Sequence, residues 1–499
     1  KYIKIKNTNT MDPNPISEYL KKHDIQKLME TAVNQCFKDK SENPQEFFAR
    51  HFAKSTQQKE ITKVRGRQVL DSRGNPTVEV DIYCGDRVTG RASAPSGAST
   101  GSNEAREIRD GDKSKYLGKG TLKVVENINV DINEVLKGVD VMDLQKCDNM
   151  MIEKDGSELK ENLGGNAITA ASFAVATAGA NLGQMELFEY LAKAFHNKDI
   201  RDQKFSLPRP MVNILNGGKH AGGKLQIQEF MIIPRGDIKF SEALRQVSEI
   251  YHHLGKILVN KYGPSSKNVG DEGGFAPNLD TPDQALEAIE EAIQTAGYVV
   301  GKDIFLALDC AASEFYIQEK KQYEVIQGKF FTSDEMVSFY EKMIEDHPAL
   351  ISIEDGLDEK DYEGWKKLTA ALGSKVQLVG DDLYTTNPRF IKRGLEEKWA
   401  NSLLLKVNQI GTISESMEAA RLLFAVDQTV IVSHRSGETA TTLISDLAVA
   451  IGAQFIKTGA TARGERIAKY NRLLQIEEYL QEKSLLLVAS QEEPTNAEE

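Results

Sequence analysis

The chain is poor in the residues that mark a disulfide framework, a membrane anchor or a nucleic-acid surface. Four cysteines stand among 499 residues, Cys36, Cys84, Cys147 and Cys310, and their scatter matches no metal-ligand or disulfide spacing. All four read as structural thiols in a reducing compartment. Long apolar runs are missing too. The most apolar stretch, Ala167 to Ala180, is alanine-rich and short for a bilayer, so it reads as a buried core helix. With no visible secretory signal, a cytoplasmic protein with no membrane partner is expected. Positive charge is in deficit as well: a net charge of -12 excludes a general nucleic-acid or anionic-membrane surface. An anionic substrate would need its positive charge supplied locally.

What is present is ordinary in bulk and specific in pattern. Apolar residues at 40% and charged residues at 27% suit a soluble protein, and the length allows two or three domains. The first methionine is Met11, and little in the reading rests on residues 1–10. A helical unit runs from Ile16 to Lys54, followed by the polar linker "STQQKE". From Ile61 the pattern alternates through "ITKVRGRQVL", "NPTVEVDIYC" and "RVTGRASAP", with turn signals between them, which predicts a small antiparallel meander. Helical patterns then extend to about Asn197, giving an α+β domain. The second half repeats a short apolar run followed by a helical pattern: "IFLALDC", "ALISIED", "VQLVGDD", "SLLLKVN", "TVIVSHR" and "QFIKTG". Parallel strands alternating with helices predict a β/α barrel. Four segments are expected: 1–58, an N-terminal extension; 59–199, the α+β domain; 200–489, the barrel; and 490–499, a disordered tail.

Every one of those runs ends in a polar or charged residue. A lone lysine after Leu403, Leu404 and Leu405 would ordinarily snorkel to solvent. Six polar strand ends, Asp309, Glu354, Asp381, Lys406, His434 and Lys457, instead converge on the mouth of a barrel, where active sites are built. Asp309, Glu354 and Asp381 offer hard oxygen ligands with no histidine or cysteine among them, which suits Mg²⁺ better than zinc. Arg435 and Ser436 in "SHRSGE" add a fork and a hydroxyl suited to a phosphate. Three glycine-rich loops, "APSGASTGS", "NGGKHAGGK" and "VGDEGG", read individually as either turns or functional loops.

From about Glu60 to Leu487 the sequence resembles enolase, the 2-phosphoglycerate hydratase. "DSRGNPTVEV", "SGASTG", "RDGDKSKYLGKG", "NGGKHAGG", "QEFMI", "NVGDEGGFAPN", "LDCAASEF", "SIED", "GDDL", "LLLKVNQIGT", "SHRSGET" and "IKTG" carry the match in the family's order. The resemblance implies an α+β domain followed by an eight-stranded barrel with an irregular start. It implies Asp309, Glu354 and Asp381 as ligands of a first Mg²⁺, and Ser99 as the loop serine reaching a second one with the substrate's phosphate. It makes Lys406 the base at C2 and Glu272 the acid assisting departure of the C3 hydroxyl, with Glu229 and His220 in support. Lys457 would face the substrate carboxylate, with His434, Arg435 and Ser436 at its hydroxyl and phosphate end.

Abstracting a proton beside a carboxylate adds negative charge to a group already ionised. Enolase-type sites solve this with a Lys or His base beside Mg²⁺. Such a field would disfavour protonation of Lys406 and bring it toward a pKa of roughly 7 to 8. Departures from the family pattern are few. Asn103 replaces a frequent histidine, "SHRSGETATT" lacks acidic residues common after that motif, and Gly464 in "RGER" replaces a usual serine. The alternative, an enolase fold kept as a structural or scaffold protein, would be expected to have lost ligands or base, and all are present.

The N-terminal segment sets Ile25, Leu28, Met29, Ala32, Val33 and Cys36 at helical spacing, one apolar stripe. A second helix is expected at "NPQE", with Asn43 as N-cap, Pro44 in the first position, Glu46 placed for a capping box, and Phe48 and Phe52 on one face. So short a helical pair cannot bury its stripe alone, which predicts self-association. The segment is similar to the dimerisation and docking domain of type II protein kinase A regulatory subunits. That resemblance implies a homodimer, an anchoring protein presenting an amphipathic helix, and a place in a cilium or other cytoskeletal structure.

Overall fold

Apolar runs spaced one β/α unit apart can close a barrel, and in the computed structural model they do. The structure describes residues 13–55, 58–98, 101–198 and 203–487. These residues fall into two compact units, one ending at Gln58 and the other beginning at Lys59. The expected disordered tail and residues 1–10 lie outside the described residues.

The first unit is three helices rather than the expected pair: α1 (Pro13–Lys22), α2 (Ile25–Lys38) and α3 (Pro44–Ser55). The break falls at Asp24, whose left-handed backbone (φ 48°) cannot continue a helix. Asn43 caps α3 as expected, accepting from the Glu46 backbone N–H at 3.2 Å, while its amide donates to the Glu46 carboxylate at 3.4 Å. Phe48 and Phe52 stack with centroids 6.2 Å apart. The apolar stripe of α2 is only half covered: Ala32 and Cys36 are buried, while Leu28, Met29 and Val33 are exposed.

The second unit opens with the expected meander of β1 (Ile61–Leu70), β2 (Pro76–Cys84) and β3 (Arg87–Ser93), antiparallel in that order. The alanine-rich stretch is a buried helix, α4 (Gly165–Gly183), lying across β3. Their approach is close enough that a Cβ on Gly90 would meet the Ala174 carbonyl at 2.2 Å, so only glycine fits there. All four cysteines are free. No helix among the described residues is long and apolar enough to cross a membrane.

The barrel closes through eight strands: β4 (Arg209–Asn216), β5 (Glu229–Pro234), β6 (Ile304–Asp309), β7 (Leu350–Glu354), β8 (Gln377–Gly380), β9 (Ser402–Leu405), β10 (Thr429–Ser433) and β11 (Phe455–Lys457). Neighbours pair in parallel except around β5, which runs antiparallel to both β4 and β6. That reversal is the irregular start. It also brings the first residue of β5, Glu229, level with the last residues of its neighbours, Asn216 and Asp309.

Met211, Ala307, Val379, Leu404 and Phe455 belong to a buried cluster distinct from the main core, the filling of the barrel. Leu403 and Leu405 face outward into the main core. Strand side chains alternate, so the residue two places beyond each filler points inward again at the mouth. Ala307 is thus followed by Asp309, Val379 by Asp381, Leu404 by Lys406 and Phe455 by Lys457. The lysine that ends three leucines is in phase with the barrel interior and cannot snorkel.

Candidate active site

Two buried ammonium groups organise the mouth. Lys457 Nζ donates to Asp309 Oδ2 at 2.8 Å and to both Glu354 oxygens at 2.9 Å, and lies 3.2 Å from Glu229 Oε2. Lys406 Nζ donates to Asp381 Oδ2, whose other oxygen accepts from Gln409 Nε2 at 2.8 Å. Burial alone would lower the pKa of each lysine, but the charges of Asp381 and of the Asp309, Glu229 and Glu354 carboxylates outweigh it and raise both.

Opposite stands a second cluster. Glu272 accepts from Asn213 Nδ2 at 3.1 Å and from Ser436 Oγ at 3.2 Å, and Ser436 Oγ also lies 3.2 Å from His220 Nε2. His220 Nδ1 is 3.9 Å from both Glu229 and Glu272. Burial, and then the charge of Glu272, push Glu229 well above the usual carboxylate range. Burial would raise Glu272 as well, but the His434 and His220 rings and the Arg466 guanidinium hold it well below that range. The two carboxyls are thus pushed apart, Glu229 toward its protonated form and Glu272 toward its charged form. The hydrogen bonds from Asn213 and Ser436 favour the charged form of Glu272. Burial drives His434 down to about 4, so its ring is neutral.

Arg435 is buried and donates to Glu104 at 2.9 Å and to Asn408 Oδ1 at 3.0 Å, and Gln409 reaches Glu104 at 3.3 Å. Glu104 also accepts the Gly101 backbone N–H at 3.0 Å, tying the end of the "SGASTG" loop to the mouth. Ser99 lies outside the described residues.

Both segments that carry the polar residues match the enolase family. Residues 61–191 match the family described as "Enolase, N-terminal domain", and residues 204–493 match "Enolase, C-terminal TIM barrel domain". The chain belongs to the enolase family. Its barrel mouth fits the hard divalent cation usual in enolases. Six carboxylates line the cavity, Glu229, Glu272, Asp309, Asp355, Asp381 and Asp382, against three cationic side chains, Lys406, Arg435 and Lys457. Carboxylates thus outnumber cationic side chains two to one, and their donor atoms are oxygens only. Burial and mutual repulsion raise Glu354, Asp355 and Asp382 well above the usual range, a strain that added positive charge would relieve.

Within this enolase fold the expected residues Asp309, Glu354, Asp381, Lys406, Lys457, Glu229, Glu272, His220, His434, Arg435 and Ser436 all sit at or beside one mouth. Several residues to which the sequence reading assigns no role join them. Asp355, in the left-handed region at φ 42°, accepts the backbone N–H groups of Asp381 and Asp382 at 2.9 Å. Asp355, Asp381 and Asp382 bring carboxylate oxygens within 4.8 Å of one another. Their only sequence signal is adjacency to Glu354 and Asp381. Thr386, also left-handed at φ 55°, accepts the Lys406 backbone N–H at 2.9 Å and donates to Gln409 at 2.9 Å, and no motif announces it.

Proposed function

We propose that this protein interconverts 2-phosphoglycerate and phosphoenolpyruvate plus water, with two Mg²⁺ per site. The observation that supports it is the facing of two clusters across one buried mouth: a lysine pair among carboxylates on one side, Glu229 and Glu272 with His220 on the other. Asp309, Glu354 and Asp381 would hold the first ion, and Ser99 with the substrate's phosphate the second. When bound, these ions supply positive charge against the carboxylate end of the substrate and offset the charge that keeps Lys406 protonated.

Lys406 Nζ then accepts the C2 proton as the C2–H electron pair moves toward the carboxylate. Lys457 faces that carboxylate and stabilises the added charge. As that electron pair forms the C2=C3 bond and the C3–O bond breaks, the hydroxyl leaves as water with a proton from Glu272, supported by Glu229 and His220. Arg435, Ser436 and His434 bind the phosphate and hydroxyl end. Formation of phosphoenolpyruvate from 2-phosphoglycerate, followed by its ultraviolet absorbance with and without Mg²⁺, tests this. Turnover that survives complete chelation, or its absence at saturating substrate and metal, overturns it.

The N-terminal helices extend the proposal to placement. Ile16, Tyr19, Leu20, Leu28, Met29 and Val33 are exposed, and Phe37 is 86% exposed, more apolar surface than so small a unit leaves uncovered alone. This supports a homodimerising docking module that takes an anchoring protein's amphipathic helix, in a cilium or other cytoskeletal structure within the cytoplasm. Light scattering on the full chain and on residues 59–499 tests the first step. Identical subunit counts, with no binding of an amphipathic helical peptide by the full chain, refute the module.

A further inference from the structure

One buried arginine, outside the lining of the mouth, touches none of the six polar strand ends except His434. Arg466 sits in the first turn of α5 (Gly464–Glu482) and is fully buried. Its Nη1 donates to His434 Nδ1 at 2.6 Å and to the Arg435 carbonyl at 2.6 Å. Its Nη2 donates to the Ser436 carbonyl at 2.7 Å and the Asp271 carbonyl at 3.1 Å. One guanidinium thus joins the segment that carries His434, Arg435 and Ser436 to the one that carries Glu272.

The contact with the imidazole has a chemical consequence. A guanidinium has donors only and keeps its proton throughout the accessible pH range. His434 Nδ1 must therefore accept with its lone pair, and a neutral ring then carries its hydrogen on Nε2. That nitrogen is buried and lies 3.3 Å from Glu272 Oε2 on the wall of the mouth. Glu272 already accepts from Asn213 and Ser436.

We propose that Arg466 is a positioning residue that fixes His434 as an uncharged Nε2–H donor facing the mouth. On the reaction proposed above, which this inference deepens, the donor meets a substrate oxygen. It does so without becoming an acid that would compete with the Glu229–Glu272 pair. The charged and titratable groups around His434 are Glu272, Arg466, Glu438, His220 and Lys457. Burial and Arg466 both disfavour the imidazolium, and the fixed tautomer follows from the contact itself.

The test uses the full chain labelled with ¹⁵N-histidine, without substrate, and reads two-bond ¹H–¹⁵N correlations. The His434 signal is identified by its loss in His434→Gln. The expected wild-type result is an Nε2–H tautomer that does not titrate between about pH 5 and 8. Arg466→Lys, which can still donate, should preserve the tautomer. Arg466→Gln should mix tautomers, let His434 titrate, and add an acid limb to the pH profile of kcat/KM. An Nδ1–H tautomer or an imidazolium in the wild-type protein near neutrality overturns the inference, as does an unchanged tautomer and titration in a folded Arg466→Gln. Because the spectrum is read without turnover, the tautomer stands or falls independently of the proposed reaction.

Discussion

Lys457→Met removes one buried charge and little volume. The lost ammonium donates three hydrogen bonds, to Asp309 at 2.8 Å and to the two Glu354 oxygens at 2.9 Å, and lies 3.2 Å from Glu229. Removing one partner of a buried ion pair costs about 3–5 kcal/mol, and here a single cation serves three carboxylates, so the upper end is expected at alkaline pH. Protonation offers the variant an escape. Glu354 is already pushed above the usual range by burial and by Asp309, and losing Lys457 raises it further. A carboxyl raised on folding binds more protons in the folded state, so stability falls as pH rises through that window. Between pH 8 and pH 5, neutralising one carboxylate becomes cheaper by about 4 kcal/mol, which nearly cancels the defect. Urea denaturation followed by circular dichroism, in chelator, should therefore show a large loss at pH 8 and a small one at pH 5. Added Mg²⁺ should restore stability at pH 8 more strongly in the variant than in the parent. Equal midpoints for variant and parent at pH 8 in chelator would refute the reasoning, because the carboxylates would then have another source of compensation.

Lys406→Ala should abolish turnover while leaving Mg²⁺ and substrate binding measurable by calorimetry, since it removes the proposed base and no metal oxygen; near-normal kcat would refute that role. Asp381→Asn should weaken Mg²⁺ binding by subtracting a charged oxygen, and an unchanged metal titration would count against the three-carboxylate set. Asp148, fully buried and bonded to the Ser414 N–H at 3.0 Å and its hydroxyl at 2.6 Å, is pushed up to about 7 by burial, so it costs stability as pH rises from about 4 to 7. Asp148→Asn should remove that slope, worth on the order of 4 kcal/mol, in denaturation midpoints taken across the range. Thr386→Val should leave the Lys406 N–H and Gln409 Oε1 without the hydroxyl and cost about 1–3 kcal/mol, with Thr386→Ser restoring most of it.

Much of this protein is written in local pattern. The alternation that makes β1 to β3, the alanine-rich α4, the Asn43 cap and the spaced apolar runs of the barrel each depend on a few neighbouring residues, so the sequence alone determines them. The same holds for the residues that end the barrel strands, because a two-residue period fixes which side chain follows the filler inward. Asp309, Asp381, Lys406 and Lys457 could be named from that rule and from the family motifs together. The helical break at Asp24 could not, since a single left-handed residue leaves the apolar stripe of the flanking helices intact.

Which partner each of those side chains takes was decided only by the tertiary structure. Lys457 draws on carboxylates from three other strands, and Arg466 reaches His434 from a helix thirty-two positions on. The reversal of β5, which sets Glu229 beside Asp309, has no trace in a run of apolar residues that reads alike in either direction. The opposite shifts of Glu229 and Glu272 likewise arise from burial and from groups gathered through space, the His434 and His220 rings and the Arg466 guanidinium. Electrostatic energy depends on distance through space and on exclusion of water, and neither is a property of sequence neighbours.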